Sequence, residues 1–230
     1  MLFAQPVLAA EERTSQSVTP TKYLLFQIFT YSNQNLPPPE QAAATLRDII
    51  NRIGTKGDRH KKLGFAVGPL TLSHSDAQIH QIITESFRLA REQNVAVAFH
   101  LDDNMFVEKR KDLLDDKSNL EWLDFNGTLC TGRRLEWGPQ PGRSAPQICF
   151  NSPAVKEAVR KRAHLIGSEI KTELDKLRFD DKDELFVGVI SGWESQIGRD
   201  FDTNRCTTLC TMPGSTRQTR PPNVKLRWSR

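Results

Sequence analysis

Glu194 stands where a carboxyl group could do chemistry. It lies in Ser191-Gly192-Trp193-Glu194-Ser195-Gln196, straight after the apolar run Leu185-Phe186-Val187-Gly188-Val189-Ile190, which reads as a buried strand. A carboxyl group partly desolvated against an indole holds its proton to higher pH, which suits a general acid. The same side chain could equally cap a following helix or pair with Arg199. Other polar and aromatic residues follow the remaining apolar runs. Tyr31, Ser32 and Asn33 come after the first, His74 after the second, and His100, Asp102, Asp103 and Asn104 close the third. Together with Trp193 and Gln196 they form a sugar-binding set, because aromatic faces stack on pyranose C–H surfaces while carboxylates and amides pair with hydroxyls.

The elements that must position these groups follow a regular pattern between residues 22 and 203. Tyr23–Phe29, Leu63–Pro69, Val95–Leu101 and Leu185–Ile190 are short, continuous apolar runs, as strands buried on both faces should be. Helical periodicity joins them. Ala43, Leu46, Ile50 and Ile53 share one face and stop at Gly54. Ile79, Ile83, Phe87 and Ala90 follow an N-cap at Ser75. Val155, Val159, Ala163, Ile166, Ile170, Leu174 and Leu177 follow Ser152-Pro153, an N-cap with proline at the first helical position. Strands alternating with helices predict an α/β fold with parallel pairing and right-handed crossovers. Both an open doubly wound sheet and a run of (β/α) units from an eight-stranded barrel fit, and in either the ligand site lies at the carboxyl ends of the strands. A long irregular insertion, about 102–147, follows the third strand and reads as a substrate wall or as a packed excursion. Its charge run, Glu108 to Lys117, reads as a solvated helical face.

The segment Gly188–Gly198, with Phe99-His100-Leu101-Asp102-Asp103, resembles the (β/α)8-barrel glycoside hydrolases of the clan A kind, including the β-galactosidase-like families. The resemblance implies a partial TIM-type barrel of about four parallel strands. It also implies retaining hydrolysis, with Glu194 as acid/base and Trp193, His100, Asp102 and Asp103 positioning sugar hydroxyls. Tyr31, Asn33 and Gln196 join them as expected substrate-binding residues. In that clan Asn usually precedes the acid/base Glu, where this chain has Trp193, and the nucleophile ends strand seven. With four strands, the chain reads as the amino-terminal half of a longer enzyme. It is expected to have little activity alone and to self-associate through open barrel edges.

Competing readings use the same residues. A metal-dependent hydrolase could take His100, Asp102 and Asp103 with His74 as ligands, although no His-x-His occurs; a non-catalytic half-barrel could bind sugar without cleaving it. No metal or cofactor is expected. Cys206-x-x-x-Cys210 lacks the further ligands of a zinc site, and neither Gly-x-Gly-x-x-Gly nor a Walker loop is present.

The ends differ from the body. Met1–Ala10 is apolar with a small-residue finish, so residues 1–21 read as a signal-peptide remnant and linker, and the protein as secreted or periplasmic. Four cysteines fit export and allow three pairings, of which Cys130 with Cys149 would close the irregular region. Residues 204–230 contain six basic and no acidic residues and read as a disordered basic tail or a frameshift product. That leaves residues 1–203 at −2 out of a formal total of +4, so the basic pI gives no reason to expect a nucleic-acid partner. No apolar run is long enough to span a membrane.

Overall fold

The computed structural model describes residues 20–30, 39–103, 107–130, 132, 134–135, 142–143, 145–191 and 209–210. In chain order the elements are β1 (Lys22–Thr30), α1 (Pro39–Ile53), β2 (Lys61–Thr71), α2 (Asp76–Gln93) and β3 (Ala96–Asp102). A short α3 (Lys111–Leu114), the two-residue strands β4 (Glu121–Trp122), β5 (Arg134–Leu135) and β6 (Gly142–Arg143), then α4 (Pro153–Phe179), β7 (Phe186–Ser191) and β8 (Leu209–Cys210) complete it. The fold is α/β: β1, β2, β3 and β7 make one parallel sheet in that order.

The apolar stripes read from the sequence meet on one face of this sheet. Leu46 and Ile50 of α1, Ile79, Ile83, Phe87 and Ala90 of α2, and Ile166, Ile170 and Leu177 of α4 pack in a single core with Leu63, Phe65, Val67, Val97 and Phe99. Helix α2 begins at the expected place. The Ser75 hydroxyl accepts from the Gln78 amide (3.2 Å) and the Gln78 side chain accepts from the Ser75 amide (2.8 Å), closing a capping box.

Three details of the helices depart from expectation. Ile53 is 40% exposed, because the last turn of α1 overruns the core. Ala163 is exposed, while Glu173 lies buried in the α4 stripe, held by Arg91 and Lys176. Ser152 occupies the N-cap position of α4 but its hydroxyl donates to the Asn119 side chain instead of capping the helix.

The described part of the insertion packs as an excursion with its own small core of Leu72, Val107, Leu113, Leu120, Ile148 and Val155. Its charge run is not one helix. Two 3₁₀ turns, Val107–Lys109 and Lys117–Asn119, flank the single turn of α3, and Leu113 is buried. The side chain of Asp116 accepts from the Ser118 amide, which favours a fresh turn over a continued helix.

Cys149 is in a disulfide and the buried Cys130 is not, so pairing these two is corrected. Both flank the Asn119–Trp122 segment at different steps: the Cys149 amide donates to Asn119, while Leu129, beside Cys130, bridges Trp122. Within the segment expected to lack structure, Leu209–Cys210 pair antiparallel with Glu121–Trp122. Of the expected leader and linker, 1–21, residues 1–19 lie outside the described residues. Among the described residues no helix is long and apolar enough to cross a membrane.

Candidate functional site at the carboxyl ends of the strands

Register decides which residues share the sheet face that the helices leave free. Leu63, Phe65 and Val67 of β2 face the helices, so Lys62, Gly64, Ala66 and Gly68 face away. Parallel pairing adds Tyr23, Leu25 and Gln27 from β1, and Ala96, Ala98 and His100 from β3. The middle of this face is built from very small side chains. A Cβ on Gly64 would lie 2.7 Å from a Leu25 methyl and 2.9 Å from the Ala96 carbonyl.

At its amino end the Tyr23 hydroxyl donates to the carbonyl of Glu184 (3.1 Å), in the turn just before β7, and the buried Lys62 ammonium donates to Asn94 (3.0 Å) with Glu184 3.9 Å away. A polar cluster thus closes the amino end of the free face.

At the carboxyl end the free face carries His100 and Asp102, both buried. His100 sits directly over Gly68, where a Cβ would come within 2.5 Å of the histidine Cβ and 2.9 Å of its carbonyl. A register shift between Val67 and Leu70 adds one residue to β2, returning Leu70 to the helix side and setting Thr71 opposite Asp102. The Thr71 amide donates to His74 Nδ1 (3.0 Å), with the Thr71 hydroxyl 2.9 Å from the same nitrogen. Because Nδ1 accepts, the proton of this imidazole belongs on Nε2. Burial pushes the His74 pKa down to about 4, helped by the nearby charges of Arg162 and Lys109. Desolvation lowers His100 as well. Both rings are thus neutral near pH 7, able to accept and donate one hydrogen bond each.

Of the residues expected to bind substrate, the structure brings His100 and Asp102 together, with the half-buried Asp103 next in the chain. Ile190 lies opposite His100, and Ser191 opposite Leu101. Glu194, Trp193 and Gln196, two to five residues beyond Ser191 in the chain, lie outside the described residues, as do Tyr31, Asn33 and Asn104. Among the described residues no three His, Cys, Asp or Glu side chains gather as a metal site, so His74, His100, Asp102 and Asp103 do not by themselves make a metal-ligand set.

Three groups that shape this end carry no signal in the sequence. Arg110 donates to the Leu72 carbonyl (3.1 Å) and Arg162 to the His74 carbonyl (2.6 Å), so two arginines from distant segments pin the loop after β2. His80, which had no partner in sequence, is 2.8 Å from Glu169 across α2 and α4.

No protein-family model, no curated protein and no solved structure matches the chain. The functional reading therefore rests on geometry and on the residues themselves.

Proposed function

We propose that this chain carries the acid/base half of a retaining glycoside hydrolase, a partial (β/α)8 barrel whose sugar site opens at the carboxyl ends of β1, β2, β3 and β7. The observation that carries the reading is the placement of His100 and Asp102 on the face the helices leave free, one strand away from the end of β7 that leads to Glu194. Three features support the barrel. The strands follow one another in sequence order without a reversal, all three long helices cover one face, and the middle of the other face is lined by small residues. A doubly wound sheet reverses its strand order and is covered on both sides.

In the proposed reaction Glu194 protonates the glycosidic oxygen while a second carboxylate, about 5–5.5 Å away, attacks the anomeric carbon and forms a glycosyl ester. Glu194, now ionised, then takes a proton from the water that hydrolyses this ester. His100 and Asp102 orient hydroxyls, and the second carboxylate comes from further sequence or another chain. The disulfide at Cys149 supports an exported protein, since such bonds persist in oxidising compartments. Self-association through β1 and β7 is supported by the exposure of Leu24, Val189 and Ile190 on these outer strands.

The test compares the chain with its Glu194→Gln variant for glycan binding, and for hydrolysis of p-nitrophenyl β-galactoside once each is joined to the partner sequence that supplies the second carboxylate. Binding by both, with hydrolysis only by the completed protein that keeps Glu194, is expected. Binding without hydrolysis in either replaces the enzyme with a non-catalytic sugar-binding half-barrel, and undiminished hydrolysis by Glu194→Gln removes the assigned acid.

A further inference from the structure

A cavity of about 420 Å³ opens beside this site, between the loop after β2 and helix α4. Its volume falls in the range of about 300–1,000 Å³ typical of small-molecule sites. Among its described lining residues Leu72, Ala158 and Leu165 are aliphatic, and three cations, Arg110, Lys161 and Arg162, stand against one carboxylate, Asp76. The two guanidiniums are already fixed in place. Arg110 grips Asp112 with two nitrogens (2.8 and 2.6 Å) and Leu72 with the third, while Arg162 holds the His74 carbonyl with Nη2.

Arg162 is where the arrangement is unfinished. Its Nη1 is buried and makes no hydrogen bond. The nearest anion is the Asp76 carboxylate at 3.4 Å, on a side chain 82% exposed and free to swing out. An incoming anion that displaces Asp76 gains a planar, preorganised donor at no ordering cost to the protein, with Lys161, itself largely exposed, able to close over it. The amino end of α2 is not the source of the attraction, since Ser75 and Gln78 already cap it.

We propose that this cavity binds an acidic sugar unit, its carboxylate or sulfate group on Arg162 and Lys161 and its C–H surface against Leu165 and Ala158. The sugar part of this assignment rests on the glycoside-hydrolase reading, and the anion part does not. His74 lines the cavity and is bonded to Thr71, which lies opposite Asp102, so the unit would occupy a subsite next to the reacting bond.

The experiment follows the backbone amides of Ser73–Gln78 by NMR during titration with glucuronate, glucose 6-sulfate, glucose and sodium sulfate at matched ionic strength. Both acidic sugars should give saturable shifts that glucose does not. Lys161→Ala and Arg162→Lys should each weaken binding about tenfold, the worth of one charge-assisted hydrogen bond. Asp76→Asn should tighten it. Lys161 and Asp76 are mostly exposed, so these two variants leave the fold intact. Equal shifts with glucose, affinities unchanged in Lys161→Ala, or sulfate binding as tightly as the acidic sugars would overturn the assignment. Acidic-sugar shifts that persist while the chain, completed with its second carboxylate, hydrolyses no galactoside would sink the earlier reading while leaving this site standing.

Discussion

Tyr23 and Glu184 are 161 residues apart in the chain, yet the phenol of one donates to the carbonyl of the other. This bond ties the first strand to the turn that leads into the last. With Lys62 and Asn94 it closes the end of the free face opposite to the candidate site.

Tyr23→Phe removes the donor and leaves a part-buried carbonyl, so it should cost about 1 kcal/mol in urea denaturation. Burial raises the Tyr23 pKa, with Glu184 and Asp183 adding to the shift. The unfolded chain therefore loses its phenol proton first, and stability should fall as pH rises beyond 10. The Tyr23→Phe variant should lack that alkaline loss, and an unchanged profile would contradict the contact.

Gly68→Ala tests how His100 is seated. The new methyl would collide with the Cβ and carbonyl of His100, both backbone-fixed positions with no flexible end to yield. A loss on the order of 2 kcal/mol is expected, as for overpacking, with displaced His100 ring resonances. A variant of parental stability with unmoved His100 signals would show that the close approach is not there.

The fold was largely legible because it is written in local periodicity. Ser75 and Gln78 announce α2, and the apolar runs announce the four sheet strands, each found within two residues of its expected ends. What escaped depends on pairs distant in sequence. Nothing near Glu173 indicates that Arg91 will neutralise it inside an apolar stripe. The extra residue of β2 is set by how it packs against β3, and the His74 environment by arginines 36 and 88 residues away. The site was half legible: strand-end position marked His100 and Asp102, whereas the cationic cavity needed α4 folded back beside the loop after β2.

His74 should make the protein acid-sensitive above the usual carboxylate range. Its folded pKa of about 4 lies below the unfolded value of 6.5, so the stabilisation is complete above pH 6.5 and drains away as pH falls toward 4. The total is on the order of 3 kcal/mol. His74→Asn, whose amide oxygen can still accept from Thr71, should flatten the melting-temperature profile between pH 6.5 and 4. A parental slope in that variant would locate the sensitivity elsewhere.

Glu173 is buried on α4. Burial pushes its pKa up, but Lys176 and Arg91 more than offset this and hold it below the ordinary value. Glu173→Ala strands the Arg91 charge against the core and should cost about 3 kcal/mol. The Arg91→Met, Glu173→Met double variant should recover much of that loss. A double variant no more stable than Glu173→Ala would show that the pair contributes more than mutual neutralisation.

The central claim is that sugar binds at the carboxyl end of the sheet face that the helices leave free. NMR titration with a non-hydrolysable, S-linked aryl β-galactoside, read at the His100 ring and the amides of Asp102, Ile190 and Ser191, tests it most directly. Saturable shifts at these positions, with Tyr23 and Lys62 at the far end unmoved, are predicted. Silence at His100 and Asp102, or shifts confined to the Tyr23–Lys62 end, would contradict it.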